Sequence, residues 1–416
     1  MPKNGMKLSE NLMKVLISNP PWFVPTGTLK ENATRMGLRA GGRWPYTSPG
    51  IHKGYFPFPF NMAYADAYLK EKGIKSVLRD SILHLDEYKD FFNFAAKFDY
   101  VVLETASASW KNDYYITKEI SKNSKVILVG MHATAFADEL IKLKEVYAVL
   151  KGEYEKNLYA CLIGGAGGVY DFDEWENIDD APFPTRDETT YLYTTPRHPL
   201  AVNVWGSRGC PYKCSFCYAE CFHKNNLYRP HSPERIEREI KDILRILPRI
   251  RYIYFDDDTF NIGNERIREI SKMLKQFGLP WGAMCRADTL NLETYAIMYQ
   301  CGCKELKIGI ESGSQRILDD IIHKKLDLKK AVNMIKVIKK IGIHVHGTFM
   351  YGFPTETAEE MQMTKRVMAE LKCNSQQYSR MGLLSGTEAW KRFEVTHKRQ
   401  PTIEESDGVF LKGMNK

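Results

Sequence analysis

The chain has no run of about eighteen apolar residues, so nothing in it reads as a membrane-crossing helix. Residues 1–14 lack the apolar stretch and small-residue cleavage site of a secretory signal, which gives the expectation of a cytoplasmic protein. Cysteine is sparse, nine in 416 residues, too few to staple a chain of this length. In a reducing compartment such a set more often holds metal or does redox work. Neither sign of charge dominates: 59 basic and 51 acidic residues are spread along the chain, with short clusters such as His323-Lys324-Lys325 that read as solvated surface. No basic stripe is interleaved with aromatics, so no nucleic-acid partner is expected. Internal repeats and low-complexity tracts are also absent.

What is present is enough apolar material, 44% of the residues, to bury more than one core, and two domains is the starting expectation. Short apolar runs at residues 14–18, 75–79, 100–103, 125–129 and 147–151 alternate with amphipathic stretches, as a parallel sheet with crossover helices requires. Met62, Ala63, Ala65, Tyr68 and Leu69 fall near helical spacing and Gly73 follows them as a C-cap would. This predicts a Rossmann-like domain over residues 1–163. The insert at 25–59 is too long for a crossover loop and is expected to pack over a ligand or a neighbouring domain. Glycine pairs, an acidic stretch and Pro182 and Pro184, with Pro196 and Pro199 just beyond, then mark residues 164–195 as a linker.

Six further strands are expected at 201–205, 252–255, 281–285, 305–310, 344–350 and 378–384. Most precede a well-marked helix, such as the one opened by Ser232 and Pro233 and striped by Ile236, Ile240, Ile243 and Leu247. The fold class is therefore α/β throughout, with a partial (β/α)6 barrel over residues 196–385 and a short C-terminal extension over 386–416. Sites in such barrels lie at the C-terminal ends of the strands.

Four of the nine cysteines crowd into twelve residues directly after the first barrel strand. Cys210, Cys214 and Cys217 have the spacing Cys-x3-Cys-x2-Cys, and three thiolates from one short loop can wrap one face of an iron–sulfur cubane, leaving one iron without a cysteine. A structural zinc site, with Cys221 or His223 as the fourth ligand, is the alternative that spacing leaves open. Cys301 and Cys303 are poorly spaced for a second cluster and read as packed thiols, as does Cys221.

Gly209 before Cys210, Pro211 after it, and Phe216 and Tyr218 around Cys217 complete a segment that resembles the radical S-adenosylmethionine superfamily. The resemblance implies a [4Fe–4S] cluster on Cys210, Cys214 and Cys217, S-adenosylmethionine chelated to the open iron beside Phe216 and Tyr218, and reductive cleavage to a 5′-deoxyadenosyl radical. It also implies an electron donor such as a ferredoxin or flavodoxin. Phe255-Asp-Asp-Asp-Thr-Phe260 resembles the segment that touches the methionine amine, with Asp257 or Asp258 in that role. An acidic turn capping the next helix is the plainer reading of either one. Arg286 resembles the arginine near the cofactor carboxylate, Glu311 and Ser312 the ribose-binding pair, and Gly352 the strand-end segment near the adenine.

The preceding domain resembles the cobalamin-binding domain of one large subfamily. Asn19 and Pro20 after the first strand, Thr105 and Ser107 after the third, Gly130, His132 and Thr134 after the fourth, and Gly152 and Glu153 after the fifth lie where an open α/β sheet binds its ligand. The Asp-x-His-x-x-Gly motif of other cobalamin proteins is absent, and His132 is read as a hydrogen-bonding loop residue rather than a cobalt ligand. The resemblance implies cobalamin-dependent methylation of an unactivated carbon on a peptide or protein segment or a small molecule. Tyr351, Tyr378 and Arg380 are the candidates for the substrate mouth, with Trp390 beside them. The same two-domain plan would also serve a cyclase or rearrangement enzyme without methylcobalamin, and a zinc-stabilised binding protein is the alternative from another class.

Overall fold

Runs such as Val-Ile-Leu-Val at 126–129 lack polar alternation, which suits strands covered on both faces. The structure, a computed structural model, describes residues 13–25, 33–37, 48–49, 56–193, 197–224, 227–402 and 405. It divides into two compact units, one from the described residues of Met1–His52, Pro59–Trp175 and Asp180–Thr185, the other from those of Lys53–Phe58, Glu176–Asp179 and Arg186–Lys416.

The first unit holds six parallel strands: β1 (Lys14–Asn19), β2 (Lys75–Asp80), β3 (Tyr100–Thr105), β4 (Lys125–Gly130), β5 (Val146–Leu150) and β6 (Gly168–Tyr170). Their order is β2-β1-β3-β4-β5-β6. Helices cover both faces. Met62 and Leu69 of the helix Phe60–Glu71, with Leu158 and Leu162 of Glu155–Gly164, pack on Val15, Ile17, Val102 and Ile127. Phe91 and Ile116 pack on Leu16, Val101, Leu103 and Leu128 on the other side. The sixth strand lies inside the stretch expected to be a linker: Gly168–Tyr170 pairs with Ala148–Leu150. The acidic stretch after it is tied down, Asp171 to Lys151 and Asp173 to Lys156.

Of the insert at 25–59, the segments Phe23–Pro25, Ala33–Gly37 and Ser48–Pro49 form a small antiparallel sheet. The expected packing of the insert over a ligand lies outside the described residues, as do residues 194–195 of the expected linker, residue 196 of the expected barrel, and 403–404 and 406–416 of the C-terminal extension.

The second unit has six strands laid down in chain order, all parallel: β7 (Ala201–Val204), β8 (Tyr252–Phe255), β9 (Trp281–Cys285), β10 (Cys303–Glu311), β11 (His344–Tyr351) and β12 (Ser375–Arg380). A helix follows every strand from β8 on, and the helix Pro233–Ile246 follows β7, capped by Ser232 Oγ accepting from Arg235 N at 3.1 Å. Val202, Val204, Ile253, Phe255, Leu306, Ile308, Val345 and Phe349 face these helices and form the larger core. Alternation places Asn203, Tyr254, Glu305, Lys307, Glu311, His346 and Thr348 on the opposite, concave face.

The last strand begins at Ser375 rather than 378. Its residues Ser-Gln-Gln-Tyr-Ser-Arg show no apolar alternation: Ser375, Gln377 and Ser379 share the polar face of His346, and of the other face only Tyr378 is apolar; His346 Nδ1 lies 2.8 Å from Ser375 Oγ across the β11–β12 pair. No helix among the described residues is long and apolar enough to cross a membrane.

Candidate active site

The cysteine loop leaves β7 through Ser207–Arg208, which pairs antiparallel with Arg229–Pro230. Gly209 has φ +75°, and a Cβ there would lie 2.2 Å from Leu227 O, so only glycine admits this turn. Cys210 and Cys214 are buried and Cys217 half-buried. Cys217 N donates to Cys214 O at 2.9 Å, and Ser215 is bonded through N to Ile322 O and through Oγ to Ile321 O, both at 2.9 Å. Burial raises the Cys210, Cys214 and Cys217 thiols above the usual range, so ligation must displace three protons.

The donor set can be tested against zinc. Among the described residues, no group of three Cys, His, Asp or Glu ligand atoms that includes these thiols lies within 4.8 Å of one another, whereas zinc bonds of about 2.3 Å hold tetrahedral sulfurs roughly 4 Å apart. Cys221, whose thiol burial pushes up to about 12, donates to Tyr218 O and Ser385 O. His223 Nε2 stands 3.6 Å from Asp258 and its Nδ1 3.5 Å from Arg229. Neither converges on the three thiols, and the wider spacing of a cubane's corners suits the loop better.

The segment after β8 is stitched to this loop. Asp257, fully buried, accepts from Gly206 N at 3.0 Å and from Ser207 Oγ. Asp258 accepts from Tyr218 Oη at 2.6 Å. Thr259 Oγ1 lies 3.3 Å from Cys210 Sγ. After β9, Arg286 is buried and fixed on three sides. Asp288 takes its Nε and Nη2 at 3.0 and 2.8 Å, Lys324 O takes Nη2 at 3.1 Å, and the guanidinium lies 3.6 Å from the centre of the Tyr212 ring.

At the end of β10 the register shifts between Gly309 and Glu311, and Glu311 has φ +71°, a strained conformation for a residue with a side chain. Its carboxylate meets Lys324 Nζ at 3.3 Å, both side chains being about a tenth exposed or less. Ser312, fully buried, accepts from Ser314 N at 3.1 Å. Gly352 N donates to Glu356 Oε2 at 2.6 Å after β11.

Phe216 packs at the edge of the larger core. Tyr351 and Tyr378 meet at 4.8 Å between ring centroids, with Arg380 across the β11–β12 pair from Tyr351. The register puts these three on the same strand face as Phe349, which packs against the helices, so they do not join Lys307 and His346 on the concave side. Trp390 is buried on the helix Glu388–His397.

In the first unit the expected residues gather at the carboxyl ends of β1, β3, β4 and β5. The strand order reverses between β1 and β3, the point where an open α/β sheet offers a crevice. Asn19 and Pro20 are buried, and Asn19 Nδ2 donates to Asp80 Oδ1 at 2.9 Å. Thr105 Oγ1 donates to Val129 O and accepts from Ala133 N. Thr134 Oγ1 donates to Gly130 O at 2.8 Å and accepts from Gly152 N at 3.0 Å, joining two strand ends, and Glu153 is fully buried beside the latter. Gly130 has φ +96°, and a Cβ there would lie 2.7 Å from Thr105 O. His132 Nδ1 lies 2.8 Å from Ser107 Oγ, and its ring stacks on Trp110 at 4.5 Å and leans on Phe136. Burial holds it neutral, lowering its pKa to about 3.

Sequence reasoning missed Lys324, Tyr212 and Thr259. Lys324 was grouped with its neighbours as solvated charge, yet it is buried against Glu311 while Lys325 is exposed; positive φ at His323 and Lys325 turns the two side chains apart. No local signal marks Tyr212 or Thr259, since their partners are distant in the chain.

The family model for the radical SAM superfamily matches residues 206–368. A Pyrococcus horikoshii protein described as an uncharacterized methyltransferase is 32% identical over 363 residues, covering 80% of this chain and 78% of its own length. The cytidylyl-2-hydroxyethylphosphonate methyltransferase of Streptomyces wedmorensis is 30% identical over 51% of this chain, which spans only 42% of that longer protein. In fold, the chain is similar to the cobalamin-dependent S-adenosylmethionine radical enzyme OxsB, solved with aqua-cobalamin and S-adenosylmethionine bound. The TM-score is 0.71 at 15% identity, covering 97% of this chain and 65% of OxsB. The chain belongs to the radical S-adenosylmethionine superfamily and is an enzyme of that family.

Proposed function

We propose that the chain is a cobalamin-dependent radical S-adenosylmethionine methyltransferase acting on an unactivated carbon. In this reading the first unit, with β6 as its edge strand, carries cobalamin, the second carries the [4Fe–4S] cluster and S-adenosylmethionine over 196–385, and 386–416 extend the barrel. The single observation that carries it is order. The Cys210–Cys217 loop, Asp258, Arg286, Glu311 and Gly352 follow five successive strands of one parallel sheet, at the same end. When bound, the cofactors supply the radical and the methyl group; the protein positions them and keeps water out.

Of the two aspartates, Asp258 is the better partner for the methionine ammonium, since it is half-buried and reachable whereas Asp257 is fully buried against Gly206 and Ser207. Arg286, held flat on Tyr212, presents a guanidinium to the methionine carboxylate beside Phe216 and Tyr218. Glu311 and Ser312 take the ribose, and the Gly352 turn approaches the adenine. The substrate, a peptide or protein segment or a small molecule, lies against the concave face, which puts Tyr254, Lys307, His346 and Thr348 in place of Tyr351, Tyr378 and Arg380. In the first unit, cobalamin lies along Asn19, Pro20, Thr105, Ser107, Gly130, Thr134, Gly152 and Glu153, with His132 beside it as a neutral hydrogen-bonding group. A ferredoxin or flavodoxin supplies the electron.

Anaerobic reconstitution with cobalamin and S-adenosylmethionine tests the reading. Joint formation of 5′-deoxyadenosine and S-adenosylhomocysteine is expected. Deoxyadenosine alone would favour a cyclase or rearrangement, and a protein that takes up zinc but no iron would be a binding protein of another class.

A further inference from the structure

Thr259 is buried, follows the two aspartates after β8, and places Oγ1 at 3.3 Å from Cys210 Sγ. The three thiols are not equivalent. Among the described residues, only Cys210 of the three has a side-chain hydroxyl within hydrogen-bond distance of its sulfur. The contact is held in place from both sides. Asp257 binds Gly206 and Ser207 just before Cys210, and Asp258 binds Tyr218 just after Cys217, so the tetrapeptide carrying Thr259 cannot move independently of the loop.

We propose that Thr259 donates its hydroxyl hydrogen to the Sγ of cluster-bound Cys210 and thereby sets the reduction potential of the [4Fe–4S] cluster. The inference rests on the reading of the three cysteines as cluster ligands. Thr259 Oγ1 also lies 2.7 Å from its neighbour's carbonyl, Asp258 O, and it has only one hydrogen to give. Against a free thiol the carbonyl can keep it. Once Cys210 is a thiolate, the anionic sulfur is the stronger acceptor, because hydrogen bonds to an ionised partner are about twice as strong as neutral ones.

The consequence follows from charge. Reduction adds one electron to the cluster, delivered by a low-potential one-electron donor protein, and makes the cysteine sulfurs more negative. A donor aimed at one of them stabilises the reduced form more than the oxidised form and raises the potential.

The test is an EPR-monitored redox titration of the reconstituted protein without S-adenosylmethionine, comparing wild type with Thr259→Val, Thr259→Ala and Thr259→Ser. Valine keeps the shape and alanine the space, and both lack the donor; serine restores it. At a fixed solution potential the ratio of reduced to oxidised cluster is expected to fall up to about tenfold in Val and Ala, about 59 mV for one electron, and to stay near wild type in Ser. Should Val fail to retain four irons, Ala against Ser still decides. Equal potentials in wild type, Ala and Ser overturn the inference while leaving the cluster assignment standing. A wild-type protein that takes up no iron fails the assignment itself.

Discussion

The two sheets gather their candidate residues at the same end, the carboxyl ends of the strands, and reach it by different routes. In the second, strands run in chain order, so each strand end adds one group to a common rim, and these groups are tied by side chains: Asp257 to Ser207, Asp258 to Tyr218 and Arg286 to Tyr212 across strand ends, and Glu311 to Lys324 within the connection after β10. In the first, the order reverses beside β1, and the strand-end hydroxyls bind mainly backbone: Thr105 to Val129 O, Thr134 to Gly130 O and Gly152 N. Side-chain ties demand particular residue types and leave a readable motif. Ties to backbone accept any small hydroxyl, and their trace in the sequence is faint.

That contrast can be broken by experiment, starting where the effect is largest. Cys214→Ala should abolish iron retention and deoxyadenosine formation while cobalamin affinity stays within about twofold, because the ligand sets belong to separate units. Coupled loss of both, measured by iron assay and equilibrium dialysis, would show that the two sites do not act separately. Lys324→Met strands the buried Glu311 carboxylate and should cost about 3 kcal/mol in thermal or denaturant unfolding of the iron-free protein. The double variant Glu311→Gln/Lys324→Met should recover most of that loss, which a surface lysine would not do.

In the first unit Gly130→Ala puts a Cβ into Thr105 O at a positive φ, and should cost about 1–3 kcal/mol together with roughly tenfold or greater loss of cobalamin affinity. Unchanged dialysis would remove the β4 end from the cobalamin site. The smallest effect concerns His132. Its folded value lies near 3 against 6.5 unfolded, so the unfolded chain binds the extra proton. Its contribution to stability is complete above pH 6.5 and is lost as pH falls toward 3. The His132 ring resonances should therefore not move between pH 5 and 8, and Ser107→Ala should leave that flat response in place, since burial rather than the Ser107 contact causes it.

Legibility followed interaction range. The apolar runs gave away β1 to β5 and β7 to β11 nearly to the residue, since each of these strands buries apolar residues against a helix layer. β6 was hidden by its glycines and by the acidic stretch that follows, and β12 by a polar face whose partners sit on β11. The cysteine loop was plain because its ligands must come from one turn. Lys324 was misread because local charge says nothing of a carboxylate thirteen residues away on a bulged strand end.

By itself the sequence determined the two α/β units, the cysteine triad and the ordered series of strand-end residues, all of which depend on periodicity or on spacing within one turn. Only the tertiary structure decided which of two adjacent aspartates is fully buried and which lysine is. It alone showed that a threonine reaches Cys210 and that the concave wall is made by Lys307 and His346 rather than Tyr351 and Arg380. These are contacts between residues distant in the chain, fixed by where each strand ends and by the direction a side chain takes from the sheet.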